Sequence, residues 1–131
     1  MILVDTSVLV DFLRGLGTPE AQKFVDIQDQ RLPFGISDLV YQEVLMGARN
    51  ESKWRTLDDY LATQRFYALT QGHQSYREAA RIYYDCRRRG LTIRSTVDCI
   101  MAQIAIEHRL SLLAKDRDYR VITRVSPLRL W

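Results

Sequence analysis

Asp5, Glu43, Asp98 and Asp116 are the residues of this chain best placed to do chemistry together. Asp5 ends the apolar run Met1-Ile2-Leu3-Val4, and Asp116 follows the apolar run Leu110-Ser111-Leu112-Leu113-Ala114. Glu43 falls in the apolar stripe of a predicted helix, three or four residues from Leu39, Val40, Met46 and Gly47. Asp98 opens the first turn of another predicted helix. In open parallel sheets, ligands bind beyond the carboxyl ends of the strands. Two aspartates at strand ends and two helix-borne carboxylates would make a negative pocket there, one that cannot stay fully ionised without a cation. Oxygen ligands of this kind suit a hard divalent ion, Mg²⁺ or Mn²⁺. The chemistry such an ion supports is attack of an acidified water on a phosphate ester.

Each acid also has a plainer reading. Asp5 could cap the helix that follows it, although Thr6 and Ser7 could cap it equally well. Glu43, on an inward stripe, would be costly to bury without a partner, which is either an arginine or a metal. Ser95-Thr96-Val97-Asp98 fits a capping box, with Asp98 at its third helical position. Asp116 lies in Lys115-Asp116-Arg117-Asp118-Tyr119, where a turn also welcomes aspartates. Asp118 reads as a turn residue or as support behind the ligands. Capping explains each position singly, but it explains less well why all four acids stand at the mouths of predicted elements.

The elements that must position these residues alternate along the chain. Met1–Val4 is short, apolar and without alternation, as a strand buried on both faces should be. Val8, Leu9, Phe12 and Leu13 follow at helical spacing until Gly15, and Thr18 caps a helix that opens on Pro19. Phe34-Gly35-Ile36 is a short strand, Ser37 caps a helix over Asp38–Arg49, and Ser52–Thr63 forms a further helix. Phe66–Leu69 reads as a strand, and Gln74–Arg89 as a long helix stopped by Gly90. Ser95 caps Thr96–Arg109, Leu110–Ala114 is a strand, and Tyr119–Ile122 is a last helical turn or strand. Strands alternating with helices predict βαβ units: an α/β fold with a mostly parallel central sheet flanked by helices on both faces.

A chain of 131 residues is long enough for one core and too short for two, so residues 1–131 are read as a single domain. The net charge of +3 is modest, but residues 87–131 hold ten Arg or Lys against four acids, while residues 1–86 hold nine against twelve. The basic C-terminal part suits a polyanion. Arg94 and Arg117, which flank the Asp98 turn and Asp116, are the candidates for phosphate contacts. Arg87-Arg88-Arg89 reads either as cations complementing a helix dipole or as a clamp. Tyr76, Tyr83 and Tyr84 share one helix face, read as core or dimer packing. His73 and His108 lie in no nucleophilic motif. Cys86 and Cys99 form no disulfide or zinc pattern, and no apolar stretch approaches the roughly 18 residues needed to span a bilayer. The expected location is the cytoplasm. A phosphorelay receiver needs paired acids after its first strand and an aspartate-dependent phosphatase needs Asp-x-Asp; Asp5-Thr6-Ser7 offers neither.

Three segments in order, MILVDTSVLVDFL, SDLVYQEVLMGA and RSTVDCIMAQIAIEHRLSLLAKDRDYRVI, resemble PIN-domain proteins across nearly the whole chain. Within that superfamily the small size is similar to VapC-type toxins of bacterial toxin–antitoxin pairs. The resemblance implies a three-layer PIN-like fold and Mg²⁺- or Mn²⁺-dependent endoribonuclease activity. It also implies an antitoxin partner that inhibits the enzyme, and a homodimer. It places the family's four acids on Asp5, Glu43, Asp98 and Asp116. Asp5 and Asp98 would be direct ligands, Asp116 a ligand directly or through water, and Glu43 a ligand to a second ion or the general base. Thr6 or Ser7 would hold a metal-bound water or substrate. Ala114-Lys115 departs from relatives that carry Thr or Asn ahead of the last aspartate. Trp54, Leu57 and Tyr60 line either an antitoxin groove or an ordinary core. The alternative function is a catalytically weak PIN-like module that binds RNA or protein.

Overall fold

A computed structural model describes residues 1–131. In chain order the elements are β1 (Ile2–Val4), α1 (Thr6–Leu13), α2 (Pro19–Asp29), β2 (Phe34–Ser37), α3 (Asp38–Met46) and α4 (Glu51–Ala62). They continue with β3 (Phe66–Tyr67), α5 (His73–Arg88), α6 (Thr96–Glu107), β4 (Ser111–Leu113), α7 (Asp118–Ile122) and β5 (Arg129–Leu130). The five strands form one sheet in the order β3-β2-β1-β4-β5, every neighbouring pair parallel. This is the expected α/β fold. β1 is central, with Val4 opposite Leu113 of β4 and Leu3 opposite Gly35 of β2. Its three residues are buried, as the unbroken apolar run requires of a strand covered on both faces. All parallel strands carry their carboxyl ends to one edge, so Asp5 and the chain after Leu113 emerge side by side.

Capping follows local chemistry. The Thr18 hydroxyl accepts from the Ala21 amide at 3.3 Å and the Ser37 hydroxyl from the Val40 amide at 3.1 Å. α4 begins one residue earlier than expected because the Asn50 side chain accepts from the Lys53 amide at 2.9 Å. α3 stops at Met46, short of Arg49, with Gly47 as its C-cap. α5 closes in a Schellman turn: Gly90 has φ +74, its amide donates to Arg87 O, and that of Leu91 to Cys86 O. α2 and α6 close in the same way through Arg31 and Arg109, whose φ values of 55 and 54 lie in the left-handed region.

At Gly35 the need is for space. A Cβ there would stand 2.6 Å from Arg65 O and 2.6 Å from the Tyr67 ring, so β2 and β3 approach only because the side chain is missing. Other expectations are corrected. Of the two readings of Tyr76, Tyr83 and Tyr84, the core fails and dimer packing is not touched, since all three are exposed and Tyr83 and Tyr84 lie under guanidinium groups of Arg87, Arg81 and Arg88. The Arg87-Arg88-Arg89 run is occupied locally, with Arg89 donating to Arg124 O at 3.0 Å. β3 covers only two residues, and β5 is a strand that periodicity does not reveal, two exposed residues after Pro127. No helix is long and apolar enough to cross a membrane.

Candidate metal centre

Asp5 is the first residue beyond β1, held in place by its own amide, which donates to Leu113 O at 3.0 Å. It occupies the N-cap position of α1, yet its side chain makes no capping bond. Oδ2 instead accepts from the Ser7 hydroxyl at 3.0 Å and Oδ1 from the Tyr119 hydroxyl at 3.2 Å. The capping box at α6 is likewise unmade: Ser95 forms no side-chain cap bond. Asp98 points away from the helix end, with Oδ1 accepting from Tyr119 at 3.1 Å and Oδ2 buried with no partner at all. The plainer readings of Asp5 and Asp98 therefore fail on geometry.

Carboxylate oxygens of Asp98, Asp116 and Asp118 lie within 4.8 Å of one another. Asp116 sits three residues beyond β4, and its Oδ1 accepts from the Asp118 amide at 2.8 Å. Asp118, expected only as support, is 4% exposed and belongs to this cluster. Asp5 joins the cluster through the Tyr119 hydroxyl it shares with Asp98. Glu43 does not lie where helical spacing suggested. α3 buries Val40, Val44 and Leu45, which leaves Glu43 exposed at the rim, where its Oε1 accepts from the Thr6 hydroxyl at 3.1 Å. A stripe inferred from spacing alone misplaces a residue at its edge.

The electrostatics follow from crowding and burial. Desolvation is the main cause that raises the Asp5 carboxyl, against hydrogen bonds from Ser7 and Tyr119 and with a smaller push from Glu43. Asp98 is raised from 3.8 to about 6, first by desolvation and then by the charges of Asp5, Asp116 and Asp118, while the Tyr119 bond opposes. The Tyr119 phenol is pushed far up by burial and by the same two carboxylates, so it stays protonated. One phenolic proton cannot be given to two carboxylates at once. Tyr119 is the site residue that motif reading misses. Its position one residue after Asp118 was visible, but its contact with Asp5 was not.

Two basic features border the acids. Arg94, expected at phosphate, is 59% exposed and pairs with two of the acids: its guanidinium is 3.5 Å from Asp116 Oδ1 and 3.5 Å from Asp118 Oδ2, which also accepts from the Arg94 amide at 3.1 Å. Arg117 has no ion pair, and with Arg120, Arg94 and Thr92 it lines a cleft of about 420 Å³ beside Asp118. Lys115 bonds Asp11 at 2.7 Å, and that contact, with Thr18, lowers the nearly buried Asp11 carboxyl. The residue that departs from the resembled pattern thus ties the β4 loop to α1 and reaches away from the acids. His108 is remote, its Nε2 2.7 Å from Ala68 O.

The donor set is all oxygen, crowded beyond what ionised carboxylates tolerate, and it includes one buried oxygen without a partner. Those properties fit a hard divalent cation. Comparison with known proteins places the architecture. A VapC ribonuclease of Mycobacterium bovis is 30% identical over 98% of this chain and 96% of its own length, as is Ribonuclease VapC11 of Mycobacterium tuberculosis. Among solved structures, VapBC2 of Rickettsia felis bound to a promoter DNA fragment superposes with a TM-score of 0.75 at 18% identity, covering 100% of this chain and 98% of that one. VapBC-1 of nontypeable Haemophilus influenzae gives 0.72 at 18%, covering 100% and 97%. The PIN domain matches residues 2–125; with that match and relatives aligned nearly end to end, the chain belongs to the PIN-domain family.

Proposed function

We propose that this chain is a Mg²⁺- or Mn²⁺-dependent endoribonuclease of the VapC type, the toxin of a toxin–antitoxin pair acting in the cytoplasm. Residues 1–131 are read as one nuclease domain. The observation that carries the reading is Asp98 Oδ2, a buried carboxylate oxygen with no partner, set among Asp5, Asp116 and Asp118 at the carboxyl edge of the sheet. Asp5, Asp98 and Asp116 would hold the ion. When bound, it supplies acidified water and neutralises charge on the phosphate. Ser7 and Tyr119 orient Asp5, and Thr6 orients Glu43. Glu43, open to solvent, serves either as the proton acceptor or as ligand to a second ion. Arg94 offsets the charge of Asp116 and Asp118, and Arg117, unpaired beside them, is placed for a phosphate of the RNA.

The antitoxin partner and a homodimer belong to the same reading, supported by the VapBC likeness. An open groove of about 460 Å³ between α1, α3 and α4 has Val10, Leu13, Val44 and Leu57 as its floor and Arg14, Arg49 and Lys53 on its rim. That lining suits an amphipathic antitoxin helix with acidic flanks. Trp54, exposed beside it, is free for such a partner and not part of the core.

The test is Asp98→Asn, which keeps shape and removes a ligand charge. Expression of the wild type without a partner should arrest bacterial growth, and the purified protein should cut RNA only with Mg²⁺ or Mn²⁺. The folded variant should lose at least roughly 100-fold in cleavage. Undiminished cleavage by the folded variant would remove Asp98 from the site. RNA bound but never cut, by wild type in either ion, would favour the catalytically weak binding module instead.

A further inference from the structure

The Tyr119 hydroxyl stands between two of the proposed ligands, 3.2 Å from Asp5 Oδ1 and 3.1 Å from Asp98 Oδ1. The ring is 1% exposed. Burial accounts for an aromatic ring at this position but not for the oxygen on it, since phenylalanine would fill the same space. A buried hydroxyl needs partners, and here both partners are carboxylates of the acid cluster. The phenol cannot withdraw easily. It stands in the first turn of α7, between Asp118, which Arg94 holds through both backbone and side chain, and Ile122, which is fully buried.

This arrangement divides the oxygens of each carboxylate into two kinds. Oδ1 of Asp5 and Oδ1 of Asp98 both face the phenol. Oδ2 of Asp98 faces no hydrogen-bond partner, and Oδ2 of Asp5 accepts from the Ser7 hydroxyl, which is free to rotate. A cation that chelated either carboxylate through both oxygens would have to share Oδ1 with Tyr119 or displace it. Ca²⁺ takes six to eight oxygens at about 2.3–2.6 Å and often chelates carboxylates, whereas Mg²⁺ takes six at about 2.0–2.1 Å with few protein ligands. We propose that the Tyr119 hydroxyl is a positioning group that sets ion selectivity: it restricts Asp5 and Asp98 to one oxygen each and thereby favours a small octahedral cation over Ca²⁺. The inference rests on the metal reading of the acid cluster and goes beyond it, because a metal site needs the acids but not this hydroxyl.

The measurement is ion affinity without RNA, for wild type and Tyr119→Phe, by calorimetry with Mn²⁺, Mg²⁺ and Ca²⁺ and by the electron paramagnetic resonance of bound Mn²⁺. The wild type should bind Mn²⁺ more tightly than Ca²⁺. In the variant the ratio of the two affinities should fall roughly tenfold, the scale of effects from groups that orient metal ligands, with the Mn²⁺ spectrum altered. A uniform loss for both ions, as a purely structural role would give, overturns the proposal, and so does an unchanged ratio. Wild type that binds neither ion overturns the metal reading and this inference with it; wild type that binds Mn²⁺ while the ratio is unchanged removes this inference alone. A crystal structure of the Mn²⁺-loaded wild type decides the matter without any variant. Asp98 should ligate through Oδ2 only, with Tyr119 still bonded to Oδ1, and a chelating Asp98 overturns the proposal.

Discussion

Asp98 carries a charge that its surroundings do not support, and the consequence is a pH dependence of known sign. Its carboxyl titrates near 6 in the fold against an ordinary 3.8. A raised acid favours the folded state when protonated. The stabilisation is fully present below 3.8 and is lost as pH rises through about 6. Asp5 is raised as well and acts in the same direction. Asp11 and Glu107 are lowered, so their contributions are lost only at more acid pH and stay constant between pH 5 and 7.5. Metal-free protein should therefore melt at a higher temperature at pH 5 than at pH 7.5. The difference should correspond to about 0.5–1 kcal/mol once solvent screening of a half-buried group is allowed for. Asp98→Asn should flatten it, and should stabilise the metal-free protein at pH 7.5. Melts in EDTA at the two pH values read this directly, and equal melting temperatures for the wild type would contradict the crowding argument. Mg²⁺ should raise the melting temperature of the wild type at pH 7.5 and barely move that of the variant, because an ion that binds only the native state stabilises it.

Among the elements, two helix ends hold an arginine where glycine is the usual choice. Arg31 at φ 55 closes α2 and Arg109 at φ 54 closes α6. Left-handed backbone costs a residue with a Cβ about 1 kcal/mol relative to glycine. The Arg31 side chain makes no hydrogen bond or ion pair, whereas the Arg109 carbonyl receives Arg129 at 2.9 Å. Arg31→Gly should thus stabilise the protein by about 0.5–1 kcal/mol in urea unfolding, offset in part by the added freedom of the unfolded chain; a loss would show that α2 ends differently in solution. Element type was readable for β1, α2, α5 and α6 because composition and period agree there, with Thr18 capping α2 and Gly90 closing α5. Asp5, Asp98 and Asp116 were readable for the same reason, each standing at an element boundary marked by an apolar run or a cap. β5 was not, since Arg129–Leu130 owes its strand geometry to pairing with Ser111 and Leu112 and not to pattern. Nor were the contacts of Tyr119 or the pairing of Arg94 with Asp118, which join α7 to residues 21 to 114 positions away. Glu43 was placed on the right helix and the wrong side of its stripe.

At the scale of the whole molecule, charge and topology work together. Of the cations in residues 87–131, Arg94, Arg117 and Arg120 stand beside Asp118 at the edge where the acids gather, while Arg109 and Arg129 meet at the other end of β4. RNA affinity should fall steeply with salt, and Arg117→Ala should reduce the slope of log affinity against log salt by about one, the amount expected for one phosphate contact. Titration of a labelled single-stranded RNA across a KCl series, in EDTA, measures this without cleavage, and an unaltered slope would place Arg117 off the RNA path. The topology has a consequence for the life of the molecule. β1 is made before its partner β4, which follows 109 positions later by the register Ile2 with Ser111. Asp5 waits in the nascent chain until Asp98, Asp116, Asp118 and Tyr119 have been synthesised and β4 has docked. A half-made polypeptide on a ribosome therefore has no site at all. Whatever chemistry the acids support can begin only once Tyr119 has been made and β4 has paired with β1.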